Sequence, residues 1–83
     1  MNEEKNRQSL TSLMNKTITL YCCRYIYTGK LIEVDDLSAT LQNPFIVYET
    51  GPYNEKEWKD AQSLEVDRFS VTLESIESFG ILK

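Results

Sequence analysis

Few side chains in this sequence are of the types that catalyse reactions or bind metal ions. The chain contains no histidine, which excludes a histidine general base, a serine–histidine–aspartate triad and a zinc–histidine site within it. Two adjacent pairs remain as candidates, the carboxylates Asp35 and Asp36 and the thiols Cys22 and Cys23. No glycine-rich phosphate loop or calcium-loop spacing accompanies them. We therefore expect a protein that is not an enzyme and that has no cofactor and no bound metal.

The two carboxylates follow a run of β-type residues, at a point where the apolar pattern is interrupted. That pattern is typical of a turn, where an aspartate side chain accepts hydrogen bonds from its own backbone. The prediction is therefore that Asp35 orders a turn, in preference to forming a catalytic acid pair with Asp36.

The two thiols belong to neighbouring residues, Cys22 and Cys23. Neighbouring Cα atoms are about 3.8 Å apart, whereas disulfides usually join Cα atoms roughly 4.4 to 6.8 Å apart. Both are thus expected to be free thiols that point to opposite faces of a strand. The alternative, a redox pair or a soft-metal site, has no third cysteine or histidine to support it.

Composition indicates one globular domain over residues 1–83. Apolar types make up 41% of the residues and charged types 27%, as in ordinary folded proteins. No apolar run approaches the roughly 18 residues that cross a bilayer, so we expect a cytoplasmic protein with no membrane association. The net charge of −4 argues against broad binding to nucleic acid, because such binding depends on neutralising phosphates.

The spacing of the apolar residues predicts a mainly β domain behind an N-terminal helix. Helical spacing predicts a helix over 3–14, and a period of two predicts strands 1 to 3 within 16–50. Gly29 is expected to bend the second strand sharply. A turn cluster and capping-box spacing then predict a short helical insert over 51–64, and strands 4 and 5 follow in 65–82.

One segment of the second strand has a recognisable pattern, formed by Tyr27, Gly29, Leu31, Val34 and Asp35. It resembles the first motif of the Sm and Sm-like (LSm and Hfq) family, which has an apolar residue, glycine, leucine, another apolar residue and aspartate at the same spacing. The resemblance covers roughly residues 10 to 41 and, more weakly, 71 to 81.

The resemblance implies a five-stranded, strongly bent, SH3-like barrel behind the helix, with subunits joined edge to edge into a homo-oligomeric ring. Pairing between copies would cover the edge strands that an open barrel leaves unpaired. The last two strands would form the docking edges, with Phe69, Ser70, Val71, Ile76 and Phe79.

The sequence departs from the family at its base-reading positions. In RNA-binding members an asparagine after the motif aspartate contacts a base, whereas Ser38 is nearest to that place here. The arginine and glycine of the second motif are replaced by Thr72 and Leu73. We therefore expect a ring-forming module with a structural or protein-interaction role. The alternative is a reduced binder of single-stranded RNA that uses Asp35, Asp36, Ser38 and Thr72 around a pore.

Aromatic residues are numerous, with five tyrosines and a single tryptophan, Trp58. Such side chains can stack on nucleic-acid bases, but cross-strand packing explains them as well and is the interpretation that we favour. Trp58 is expected to cap the barrel, and contact with a neighbouring protein is the alternative.

Overall fold

An open antiparallel sheet forms most of the computed structural model, which describes residues 3–82, with side chains from residue 7 onward. Within these residues there are one α-helix, six strands and one 3-10 turn, so the predicted mainly β fold is confirmed. The elements are α1 (Glu3–Thr11), β1 (Thr17–Cys22), β2 (Ile26–Val34), β3 (Ser38–Glu49), β4 (Asp60–Ser63), β5 (Arg68–Thr72), the 3-10 turn (Leu73–Ser75) and β6 (Ile76–Gly80).

The strands follow the order β4-β3-β2-β1-β6, and β5 also pairs with β3. The strand β3 has 12 residues, and its two halves have different partners on the same side. Residues 38–42 pair with β5, whereas residues 45–49 pair with β4. The strands β4 and β5 therefore lie end to end along β3 like one interrupted strand. This interruption gives six strands in place of the five expected.

The prediction of a helical insert over residues 51–64 is wrong. Residues 51–59 form turns and bends, and the segment continues as β4. A short isolated helix is costly to nucleate, whereas pairing with β3 satisfies backbone groups of both strands at once. Gly51, with a φ of 67°, and Pro52, which has no amide hydrogen, also interrupt helical geometry where the segment begins.

The N-terminal helix α1 ends at Thr11, three residues before the predicted end. After Thr11 the hydrogen bonds change to the tighter 3-10 type. The amide of Leu13, for example, donates to the carbonyl of Leu10, three residues earlier, at 2.8 Å. Asn15 then adopts a left-handed φ of 68°, and its amide donates to the Leu31 carbonyl at 2.7 Å. This bond ties the end of the helical segment to β2.

Three adjacent parts of the sheet change direction at the same level. In β2 this point is Gly29, and in β3 it is Asn43, with a φ of 50°. Beside it, the connection between β4 and β5 contains Glu65, with a φ of 57°. The amide of Asn43 donates to the Asp67 carbonyl at 3.0 Å, and the amide of Leu64 donates to the Pro44 carbonyl at 3.0 Å. These bonds join the breaks into one corner.

The hydrophobic core lies on the side of the sheet that α1 covers. Leu10 of α1 is fully buried against Leu31 of β2 and other core side chains of the strands. The buried members are Leu10, Ile18, Leu20, Leu31, Ala39, Leu41, Val71, Leu73 and Ile76.

The opposite face of the sheet carries a second row of side chains. The pairing registers place Tyr21, Ile26, Val47 and Ala61 directly opposite one another across four strands. Val47 is only 5% exposed, and Tyr53, from residues 51–59, lies beside Tyr21 of the same row. Burial is the main cause, and the interaction with the neighbouring Tyr53 hydroxyl the second, that raises the pKa of Tyr21 to about 12. We call residues 51–59 the roof segment.

Adding a side chain at Gly29 is expected to destabilise the corner. A Cβ there would lie 3.0 Å from the Gln42 carbonyl oxygen and 3.1 Å from Leu41 Cβ. Gly29→Ala should lower the free energy of unfolding by about 1 to 3 kcal/mol in urea denaturation, and Gly29→Val by more. Gly80→Ala is the matched control, because a Cβ at Gly80 meets no atom within 4 Å. Equal effects of the two alanine substitutions would contradict the close approach at Gly29.

Candidate functional site

The turn between β2 and β3 is ordered by a single carboxylate. Asp35 Oδ1 accepts hydrogen bonds from the amides of Leu37 and Ser38, both at 2.8 Å, and the Ser38 hydroxyl lies 3.3 Å away. The bonds from Leu37 and Ser38 hold the pKa of Asp35 below its ordinary value. Asp35 thus has the geometry of a turn-forming side chain, with its acceptor positions directed at its own backbone.

The second turn, around the 3-10 segment, lies beside the first. Ser38 pairs directly opposite Thr72, and the amide of Leu73 donates to the Leu37 carbonyl at 2.8 Å. The Thr72 hydroxyl contacts the Ser75 hydroxyl at 3.2 Å. The structure therefore brings Asp35, Ser38 and Thr72 to one end of the β3–β5 ladder.

The charge at this end of the ladder is mainly negative. Asp36 is exposed, and its carboxylate lies 3.7 Å from the Arg7 side chain. Asp35 and Glu74 add two further exposed carboxylates. A single cation beside three carboxylates is a poor environment for a phosphate group.

The strand β5 presents a row of outward-facing backbone groups. Two bonds define which residues face β3, one from the Leu73 amide to Leu37 and one from the Asn43 amide to Asp67. Because bonding alternates along an antiparallel ladder, residues 67, 69, 71 and 73 bond to β3. The amides and carbonyls of Arg68, Ser70 and Thr72 therefore point away from it. Within residues 3–82, β5 pairs only with β3 and β6 pairs only with β1, so both strands have a free side.

The side chains predicted to form the docking edges lie on these two strands but face the core. Val71 and Ile76 are 5% and 2% exposed, and Phe69 and Phe79 are half-buried against the core. Only Ser70 is exposed, and its hydroxyl lies 2.8 Å from the Thr40 hydroxyl. The edges therefore offer backbone groups to a partner, rather than apolar side chains.

A cavity of about 400 Å³ lies between the free side of β5 and the turn that connects β1 and β2. Three aromatic rings line it, with centroids 6.1 Å apart for Tyr25 and Tyr27 and 5.2 Å apart for Tyr27 and Phe69. Burial raises the pKa of the Tyr27 hydroxyl. An apolar lining beside unpaired backbone groups is suited to an extended chain that adds to the sheet.

Both thiols also line this cavity, and both are free. Cys22 is half-buried, and that burial raises its pKa, although a hydrogen bond with Ser75 opposes the change. Cys23 is exposed. Among the described residues, no group of three or more acidic or cysteine side chains is placed to hold a metal ion.

Sequence reasoning did not identify this cavity or the contact between Tyr27 and Phe69. The two aromatic residues are 42 positions apart, and only the pairing of β3 with both β2 and β5 brings them together. The sequence did contain one signal for this contact. Side chains alternate between the two faces of a strand, which places Phe69 on the same face of β5 as Val71.

No helix in the described part of the chain has the length and apolarity to span a membrane. Neither a protein-family model nor a curated protein sequence matches the chain. The geometry of the edges and turns is therefore the basis for any functional conclusion.

The contribution of Asp35 to stability should depend on pH. Hydrogen bonding lowers the pKa of Asp35 in the folded state, so its stabilisation is present above about pH 4 and is lost as the pH falls through the folded pKa. Thermal melts of the parent protein and Asp35→Asn should therefore differ most above about pH 4 and converge in more acidic buffer. Asp36→Asn is the control, because it leaves the Asp35 bonds in place. A difference that does not vary with pH would show that the charge of Asp35 is unimportant.

Proposed function

We propose that this protein is a non-enzymatic, Sm-like module that assembles into a homo-oligomeric ring with a structural or protein-interaction role. The element order supports the family assignment: a helix, strands bent at Gly29, and a 3-10 turn before the last strand. The bend gives the open sheet the curvature that a small SH3-like barrel requires.

The observation that carries the proposal is the presence of free strand edges at both ends of the described sheet, on β6 at one end and on β4 and β5, which both pair only with β3, at the other. An exposed edge is a template for pairing, and a protein that stays soluble has to cover or protect it. These edges belong to different strands, so contact between copies is head-to-tail, which closes into a ring when the rotation permits. In this arrangement β6 of one copy pairs with β5 of the next.

The charge distribution supports a structural role over RNA binding. The chain has a net charge of −4, and carboxylates surround the two turns that carry Asp35 and Thr72. Two of its arginines lie beside carboxylates, Arg7 beside Asp36 and Arg68 beside Glu33. Neither arginine therefore offers an uncompensated charge to a phosphate backbone.

Blocking the outward face of β5 is expected to prevent assembly. Proline in place of Ser70 removes an amide that faces away from β3, so it leaves the internal ladder intact and blocks a neighbouring strand. Light scattering after gel filtration should show an oligomer for the parent protein at tens of micromolar and a monomer for Ser70→Pro. A cooperative thermal transition of the variant checks that the monomer remains folded.

Ser70→Ala is the matched control for this experiment. It loses the same contact with the Thr40 hydroxyl but keeps the outward amide, so it should assemble like the parent. A monomeric parent protein at tens of micromolar would refute the ring. An oligomer of unchanged mass for Ser70→Pro would refute the use of the β5 edge.

The second candidate function is that of a reduced binder of single-stranded RNA. The observation that favours it is the close placement of Asp35, Ser38 and Thr72 at one end of the β3–β5 ladder. Short oligo-U and oligo-A titrated at low and moderate salt should then bind with an affinity that falls as salt rises. Ser38→Ala and Thr72→Ala should weaken that binding. Absence of binding at low salt would leave the structural role alone.

A further inference from the structure

The end of β1 brings two thiols to one cavity. A regular strand directs neighbouring side chains to opposite faces, but β1 ends at Cys22, and Cys23 lies in the turn that follows. The pairing of β1 with β6 also changes register between Tyr21 and Cys22. Both cysteines line the cavity of about 400 Å³ beside the free side of β5. We call it the dithiol cavity.

Two backbone hydrogen bonds fix the turn that carries these thiols. The amide of Cys22 donates to the Tyr25 carbonyl at 3.0 Å, which closes the hairpin between β1 and β2. The amide of Cys23 donates to the Ser75 carbonyl at 3.2 Å, which ties the turn to the 3-10 segment. Neighbouring Cα atoms are only about 3.8 Å apart, so rotation of the two side chains brings both sulfurs within reach of one bound atom.

The two thiols restrict the kind of ligand that this cavity can take. Structural zinc sites usually have four protein ligands, and no group of three or more acidic or cysteine side chains is placed to hold a metal within residues 3–82. Thiolate sulfur is a soft ligand and prefers soft partners. Trivalent arsenic with one organic substituent is a soft centre that forms two bonds to sulfur and keeps its bond to carbon. It therefore needs the two thiols that the cavity offers, and no further ligand.

The aromatic rings of the dithiol cavity provide a surface for the organic substituent. The Tyr25 ring lies 6.1 Å from the Tyr27 ring and is 49% exposed, so one of its faces is open to a flat group. Aromatic rings attract one another in offset or tilted arrangements. Arg24 is the charged residue of the lining, and no carboxylate of the described residues accompanies it. An uncharged aryl group fits this lining.

We propose that Cys22 and Cys23 form a dithiol site that chelates a trivalent aryl arsenical, R–As=O. Two arsenic–sulfur bonds form, while the two S–H bonds and the bond to oxygen break. The oxygen leaves as water with both thiol protons, and arsenic remains trivalent, so no electrons are exchanged. Cys23 is exposed and forms the first bond, and Cys22 then closes the chelate. This site goes beyond the ring, because it uses side chains and not the outward backbone groups of β5.

The direct test is a titration of the reduced full chain, freed of reductant, with phenylarsine oxide. Mass spectrometry should show one arsenical per chain, and a thiol assay should show the loss of both thiols together. The adduct should resist an excess of the monothiol cysteine and be released by dithiothreitol, because only a dithiol replaces both bonds at once. Loss of the arsenical to the monothiol would overturn the proposal.

Single-thiol variants separate the chelate from ordinary reaction at an exposed cysteine. Cys22→Ser and Cys23→Ser each keep one thiol, so each should bind phenylarsine oxide about a hundredfold more weakly, or worse, than the parent. Both variants should also release it to the monothiol. If either variant held the arsenical as firmly as the parent, the paired site would be refuted.

A further pair of variants tests the contribution of the aromatic lining. Tyr25→Ala should weaken the binding of phenylarsine oxide about threefold to tenfold and leave the binding of methylarsine oxide unchanged. Tyr48→Ala is the matched control, because Tyr48 is 56% exposed and does not line the dithiol cavity. A capped peptide of residues 20–26 has both thiols but no cavity, and it should bind phenylarsine oxide more weakly than the folded chain. Equal binding by the peptide would overturn the proposal.

Parallel titration of Ser70→Pro keeps this result separate from the ring. In the proposed ring β6 of a neighbouring copy lies beside the dithiol cavity, whereas this variant leaves the β5 edge open. A chelate on a monomeric parent would refute the ring and retain the site. Failure of both the parent and Ser70→Pro to form the chelate would refute the site, whatever light scattering shows for the assembly.

Discussion

The structure depends on the close approach of two backbones at Gly29. Because Gly29 has no side chain, β2 can lie directly against the Gln42 carbonyl and Pro44 of β3. A Cβ atom at Gly29 would lie only 3.0 Å from the Gln42 carbonyl oxygen and 3.3 Å from Pro44 Cα. The bulge at Asn43 and the break near Glu65 occur at the same level, so the sheet bends along one line. The bend divides β3 into two halves with separate partners.

The bend also explains why the edge strands are short. Because β4 and β5 pair with different halves of β3, they have only four and five residues, and neither forms a long flat edge. Short, interrupted edges are a common protection against uncontrolled pairing. Under the proposed assembly, the small number of outward groups on β5 restricts the registers that a neighbouring strand can take. Two hydrogen bonds join residues 64–67 to Asn43 and Pro44 at the break between β4 and β5.

The sequence predicted those features that depend on local chemistry. Glycine within a β-rich run indicated the bend, and Asp35 indicated a turn; both are present. The prediction of a helix over 51–64 was wrong because it used only the local capping signal around Asn54. The sequence does not show that half of β3 lacks a partner and pairs with this segment as β4. The cavity lined by Phe45 and Trp58 has the same origin, since these two residues come together only when β4 pairs with β3.

Backbone groups and side chains have separate roles at the strand edges. The apolar side chains of β5 and β6 are buried or packed against the core, namely Phe69, Val71, Ile76 and Phe79. The outward backbone groups of β5 point away from β3 and alternate with these buried positions. A contact made through backbone groups tolerates change in the exposed side chains. Under the proposed assembly, the exposed positions of the edge can therefore vary in sequence, whereas the buried ones cannot.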